Sequence, residues 1–71
     1  MARKPSFGHL IREARKKRRV PVVEIAESVG VSVAAIYMWE TDRGRPRDAN
    51  LSPLCKALKL PVRATREMVD G

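Results

Sequence analysis

The sequence predicts an all-α fold, a compact bundle of four or five short helices. Three observations predict it. Apolar residues recur at helical spacing, as in Phe7, Leu10, Ile11 and Ala14, which line one face at i, i+3, i+4 and i+7. Helix-stopping residues separate these stretches at Val20-Pro21, Gly30, Gly44 to Pro46, and Leu60-Pro61. A chain of 71 residues also buries only a limited share of its surface. That favours helices, whose hydrogen bonds close locally and spend little chain on connections.

The first helix begins near Pro5-Ser6 with Ser6 as its N-cap. It fades at Arg18-Arg19, where cations suit the negative end of the helix dipole. The second runs from Pro21 or Val22 to Val29, with Val22, Ile25, Ala26 and Val29 as its buried stripe. Proline is tolerated at a helix start because its missing N–H has no partner there. Gly30 stops this helix in a left-handed conformation that costs glycine little. Val31 follows, and Ser32 caps a third helix reading VAAIYMWE. The polar run TDRGRPRDA is a loop. Asn50 or Ser52 then caps a fourth helix whose apolar face is Leu51, Leu54, Cys55 and Leu58, with Pro53 in its first turn. After Lys59-Leu60-Pro61, residues 62–69 make a short fifth helix. Residues 1–5 read as a flexible basic arm and residues 6–71 as one domain.

Fifteen Lys and Arg stand against eight Asp and Glu, a formal net charge of +7. Eight of the cations lie between Arg3 and Arg19, opposed only by Glu13, and three more form Arg43, Arg45 and Arg47. Such clustering favours a polyanionic partner, nucleic acid first and an anionic membrane surface second. The small size leaves little room for a substrate cleft beside a core. No nucleophile–base or carboxylate pair stands out, so an enzyme is not expected. With one cysteine and one histidine there is no internal disulfide and no set of zinc ligands. Cys55 reads as a small core residue, and no metal or cofactor is expected. No apolar run approaches the roughly 20 residues of a membrane span, and no signal-peptide stretch follows the N-terminus. A cytoplasmic, nucleoid-associated location is expected.

Residues 21–40 carry the most specific pattern. A short helix, a glycine, one apolar residue, a capping serine and a second short helix is the spacing of a helix-turn-helix formed by helices 2 and 3. Ala26 is small where the two helices cross, Val31 tucks into the angle between them, and Ile36 and Trp39 point inward. With LIREARKKRR before it, EIAESVGVS and AIYMWE within it, and LCKALKL after it, the chain resembles the Cro/repressor-type (XRE-like, lambda-repressor-like) family. The likeness runs from about Phe7 to Leu60.

The resemblance implies a double-stranded DNA-binding transcriptional regulator, a phage-type or bacterial repressor or activator. It implies that helix 3 enters the major groove and presents Ser32, Val33, Ala34, Tyr37 and Met38. Arg15 and Glu40 occupy positions where the family joins helix 1 to the end of helix 3 by an ion pair. Binding as a homodimer, with half-sites about one helical turn apart, is the family's habit. There are two departures. Pro21 and Val22 stand where the family has Ser or Thr followed by a phosphate-binding Gln, so that contact is absent. Helix 3 is also unusually apolar. Val33 and Ala34 cannot donate hydrogen bonds, but their methyls can pack against thymine methyls, and Tyr37 can reach a base edge or a phosphate.

The loop string Arg43-Gly44-Arg45-Pro46-Arg47 resembles the core of an AT-hook, and the family too places a basic loop here. Either way Arg43, Arg45 and Arg47 are expected on the DNA backbone or in a narrow A·T-rich minor groove. Arg3, Lys4, Lys17 and Arg19 are expected as further, weaker backbone contacts, with one or two of the cations at the end of helix 1 reaching phosphates. Leu60, Val62, Met68 and Val69 serve either a homodimer contact or the monomer's own core. Cooperative, side-by-side binding along A·T-rich DNA is the alternative assembly. The rival function is a protein-interaction adaptor whose helix 3 binds a regulator or polymerase subunit. Salt separates the two, because phosphate contacts weaken steeply with ionic strength and an apolar interface does not.

Overall fold

The computed structural model describes residues 6–70, without the side chain of Asp70. Five helices follow in order: α1 (Phe7–Arg18), α2 (Val22–Val29), α3 (Val33–Glu40), α4 (Asp48–Leu58) and α5 (Val62–Asp70). The described residues contain no strand. Ser6 caps α1 by accepting the His9 N–H at 3.1 Å, and Ser32 caps α3 by accepting the Ala35 N–H at 3.1 Å. Each satisfies one of the donors that a helix start leaves without a partner.

The first four helices end in one way. A residue at positive φ follows each: Arg19 (55°), Gly30 (84°), Asp42 (59°) and Lys59 (55°). The next residue then returns its N–H to the carbonyl five back. These bonds are Val20 to Arg15 at 3.1 Å, Val31 to Ala26 at 3.0 Å, Arg43 to Met38 at 2.9 Å and Leu60 to Cys55 at 2.8 Å. After α1, α2 and α4 that residue is apolar and packs on the core, as Val20, Val31 and Leu60 do. This is the Schellman ending with its hydrophobic contact, and only one of the four uses glycine.

The core is a single cluster. Ile11, Ile25, Ile36, Leu51, Leu54, Cys55 and Leu58 are each at most 2% exposed, with Phe7 and Trp39 at its edge. α4 lies centrally, packed against α1, α2 and α5, while α3 rests on α1 and α2. Leu60, Val62, Met68 and Val69 all belong to this core or pack against it, so they close the monomer.

Two sequence expectations need correction. α4 starts at Asp48, not after Asn50 or Ser52. Arg47 takes the extended N-cap conformation, and its carbonyl accepts from Asn50 at 2.8 Å and Leu51 at 3.1 Å. No side chain caps this end, and the carboxylate of Asp48 in the first turn meets the positive end of the dipole instead. Pro53 therefore lies in the second turn. There its missing N–H leaves the Ala49 carbonyl without its usual helical donor.

Candidate nucleic-acid interface

The chain bends by 107° between α2 and α3, within the range of helix-turn-helix motifs. Three features make the bend. Gly30 adopts the left-handed conformation. Val31 is half-buried and packs on the core from the angle between the helices. Ala26, 3% exposed, is small enough for close packing.

α3 is amphipathic only in geometry, since both of its faces are apolar. Ile36 and Trp39 are buried at 1% and 6%. Ala34, Tyr37 and Met38 face outward, with Tyr37 52% and Met38 48% exposed. Val33 is half-buried against the core, so it is less available than its sequence position implies. Ser32 is exposed, and its oxygen accepts the cap bond while its O–H stays free to donate. The Thr41 hydroxyl turns back to donate to the Tyr37 carbonyl at 2.9 Å.

The far end of α3 is held by three contacts with α1. Arg15 meets Glu40 through two bonds, Nε to Oε2 at 2.6 Å and Nη2 to Oε1 at 3.2 Å. The side chains of this fork are 18% and 4% exposed. The bond to Glu40 binds the guanidinium proton more firmly than usual, against an opposing effect of burial. Gly8 supplies the second contact. A Cβ there would lie 2.5 Å from the Trp39 carbonyl oxygen and 2.6 Å from that of Glu40. The third is Asp42, which accepts the Gly8 N–H at 3.0 Å. Hydrogen bonding to the Ser6 hydroxyl first, and to Gly8 second, holds the Asp42 carboxyl below its ordinary range.

The arginine loop is folded onto the domain. Pro46 is buried. Gly44 packs beside Met38, where a Cβ would come 3.5 Å from the methionine Cε. Arg45 donates from Nη1 to the Val69 carbonyl at 2.9 Å, near the end of α5. An AT-hook lies along a groove as an extended strip, and this loop could do so only by giving up those contacts. Arg43 and Arg47 are exposed and make no side-chain bond among the described residues. Lys17 and Arg19 are exposed at the end of α1. Arg18 instead donates to the Leu58 carbonyl at 3.0 Å and closes the end of α4. Arg3 and Lys4 lie outside the described residues.

Burial pushes the Cys55 thiol up, with the neighbouring Thr65 hydroxyl partly opposing, as suits a core residue. Among the described residues no three His, Cys, Asp or Glu side chains converge to hold a metal. No single described helix is long and apolar enough to cross a membrane.

Gly8 and Asp42 are the site-building residues that sequence reasoning missed, and Pro46, read there only as part of the loop string, is buried. Gly8 carried a signal, because glycine inside a helix is costly and marks a close approach. Asp42 carried none, since its partner lies 34 positions away.

A family model described as helix-turn-helix matches residues 11–64. The HTH-type transcriptional repressor RghR of Bacillus subtilis is 40% identical over 57 residues, 79% of this chain and 42% of the repressor. Repressor protein C2 of Salmonella phage P22 is 40% identical over 53 residues, 75% of this chain and 24% of that protein. The chain thus spans less than half the length of these relatives. The crystal structure of the P22 c2 repressor in complex with a synthetic operator superposes with a TM-score of 0.82 at 34% identity. That match covers 87% of this chain and 94% of the repressor chain.

Proposed function

This chain belongs to the helix-turn-helix family, and on that premise we propose that it binds duplex DNA as a transcriptional regulator of the repressor type. The observation that carries the reading is the placement of α3. Its outer stripe of Ala34, Tyr37 and Met38 projects from a helix fixed at both ends, and the exposed Arg43 and Arg47 follow directly. α3 enters the major groove. Arg43 and Arg47 lie on the backbone or in an adjoining minor groove, where they favour A·T-rich sequence. Lys17 and Arg19 add charge to the backbone contact. The net charge of +7 draws the protein to the polyanion. Kinship with a repressor solved on an operator supports the same partner.

Two copies meeting across half-sites, or side by side along the duplex, complete the binding unit. Because the apolar residues of α5 are used within the protomer, that assembly depends on the DNA more than on an apolar dimer seam. Sedimentation with and without duplex measures it. A dimer that persists without DNA goes against the last point.

Titration of fluorescent A·T-rich and G·C-rich 20-base-pair duplexes tests the main reading. Affinity is expected to fall by two or more orders of magnitude between about 50 and 200 mM salt, as several phosphate contacts require. A folded protein that binds neither duplex at low salt overturns it.

A further inference from the structure

We propose that the end of the domain where α1 and α4 finish and α5 starts is a second face for DNA backbone, built on Arg18, Lys56, Lys59 and Arg63. It lets a protein seated on one duplex hold a second one. The inference goes beyond the proposed function and rests on it for the first duplex.

The topology sets this face apart from α3 and the arginine loop. α4 begins directly after Arg47 and runs from Asp48 to Leu58. At 1.5 Å per residue its far end lies about 15 Å from the loop. α5 turns back along it. The Arg66–Asp48 pair at 3.0 Å and the Arg45 bond to the Val69 carbonyl return the finish of α5 to the loop, which leaves its start, with Arg63, at the far end. α3 rests on α1 and α2, on the other side of the domain from α5. Arg18 joins the far end from α1, since its Nε donates to the Leu58 carbonyl at 3.0 Å.

Charge at this end exceeds what the fold uses. Arg18, Lys56, Lys59 and Arg63 are all exposed, and among the described residues none of them is in an ion pair. Residues 14–23 and 49–66 contain no Asp or Glu. Glu67 stands one turn on from Arg63 and does not pair with it. A helix C-terminus is complemented by about half a positive charge, so the two that meet here call for about one. Arg18 meets that need with a single bond and keeps its other N–H groups. Lys56, Lys59 and Arg63 are surplus.

The surplus fits a polyanion. The exposed large apolar side chains among the described residues are Val23, Tyr37 and Met38, and none belongs to α1, α4 or α5. A protein interface is built round an apolar core with its charges at the rim, whereas gripping phosphates takes cations alone. Four cations on three elements, with no amide or carboxylate among them, suit DNA backbone of any sequence.

The test loads the whole chain onto a biotinylated 20-base-pair duplex on streptavidin beads, washes away unbound protein and offers a fluorescent duplex. The fluorescent duplex should be retained, with an affinity that falls about twelvefold between about 50 and 100 mM salt if four phosphates each contribute a slope of about 0.9. K56Q/K59Q/R63Q, checked for its helical spectrum, should lose at least tenfold in that affinity and bind the first duplex with an unchanged salt slope. K56R/K59R should retain the second duplex as the parent does. A parent that holds the first duplex and no second one overturns the second face and leaves the proposed function intact. Retention that survives the triple change overturns the role of these residues, and a lowered slope for the first duplex places them on that duplex instead. Retention of fluorescent poly-glutamate but of no second duplex overturns the inference in favour of an acidic protein segment. Failure to bind the first duplex at low salt overturns the reading beneath it.

Discussion

Replacing Gly8 with alanine sets two effects of opposite sign against each other, and the structure decides between them. Helix propensity alone makes alanine better by about 1 kcal/mol inside a helix. The new Cβ, however, would stand 2.5 Å from the Trp39 carbonyl oxygen, 2.6 Å from that of Glu40 and 2.8 Å from the Glu40 carbonyl carbon. Carbon atoms pack best at about 3.5–4.0 Å, and these neighbours are backbone, which cannot swing aside. α1 and α3 must move apart by most of an ångström, at a cost of about 1–3 kcal/mol for overpacking. The shift also stretches the Gly8 N–H bond to Asp42, a cap-like contact worth about 1 kcal/mol. The net expectation is a loss of about 2 kcal/mol, or a Tm lower by about 8–16 °C for a domain of this size. Urea and thermal unfolding followed by circular dichroism measure it. Gly44→Ala is the control, since its Cβ meets nothing nearer than 3.5 Å, and it should change stability by less than about 1 kcal/mol. If Gly8→Ala is as stable as the parent, the close approach of α1 to α3 is wrong and propensity has won.

Glu40→Ala leaves the largely buried Arg15 guanidinium without its partner and should cost about 3 kcal/mol, whereas the double change R15M/E40L should be nearly neutral. Denaturant midpoints compare them, and equal losses in both would argue against a desolvated pair. Because the Asp42 carboxyl is held below its ordinary value of 3.8, the unfolded chain binds that proton more readily than the folded one. Its stabilising effect is complete above the ordinary carboxyl range and is lost as pH falls through 3.8 towards the lower folded value. An acid titration should therefore show a shallower loss of stability for D42N, and superimposable acid limbs would reject the contact. On DNA, R43A and R47A should each lower the salt slope of log K by about 0.9 if each neutralises one phosphate. R45A should lower the slope by less, because one of the five N–H donors of this exposed guanidinium is given to the Val69 carbonyl and holds it towards α5; a slope that falls as far as for R43A would make Arg45 an equal phosphate contact.

The helices were legible because periodicity and punctuation are local. Ser6, Gly30 and Ser32 act within four residues of their own positions, and sequence spacing is a good proxy for such contacts. The start of α4 was misread for a related reason. Asn50 is a strong intrinsic cap, but the helix already starts at Asp48, two residues after the buried Pro46, with the Asp48 carboxylate in its first turn and no side-chain cap. Two of the other helix ends were also written in the chain. Arg19-Val20-Pro21 and Lys59-Leu60-Pro61 share one pattern, a residue at positive φ, then an apolar residue that packs on the core, then proline. The loop was the hardest to read, since RGRPR looks alike whether free or folded. Its fate was set by Trp39, Met38 and the end of α5, distant in sequence or facing it by chance of topology.

These restraints matter for function in a way that composition does not suggest. A helix that reads bases by hydrogen bonds tolerates small displacements, because donors and long side chains re-aim. A helix that packs methyl groups against thymine, as the resemblance leads one to expect of α3, loses a quarter to a half of each contact when a gap of only 0.5–1 Å opens. Such a reader needs a stiff mount, and α3 has one at each end. Ser32 and the Gly30 bend fix its start, while Gly8, the Arg15–Glu40 fork and Asp42 fix its finish. Rigidity and discrimination should therefore fail together. Gly8→Ala and Glu40→Ala, assayed well below their lowered Tm values, should bind A·T duplex with a near-normal salt slope but a reduced preference over A·U. Were either variant to keep the full thymine-to-uracil ratio while losing stability, the mount would serve only the fold, and α3 would not need it in order to read.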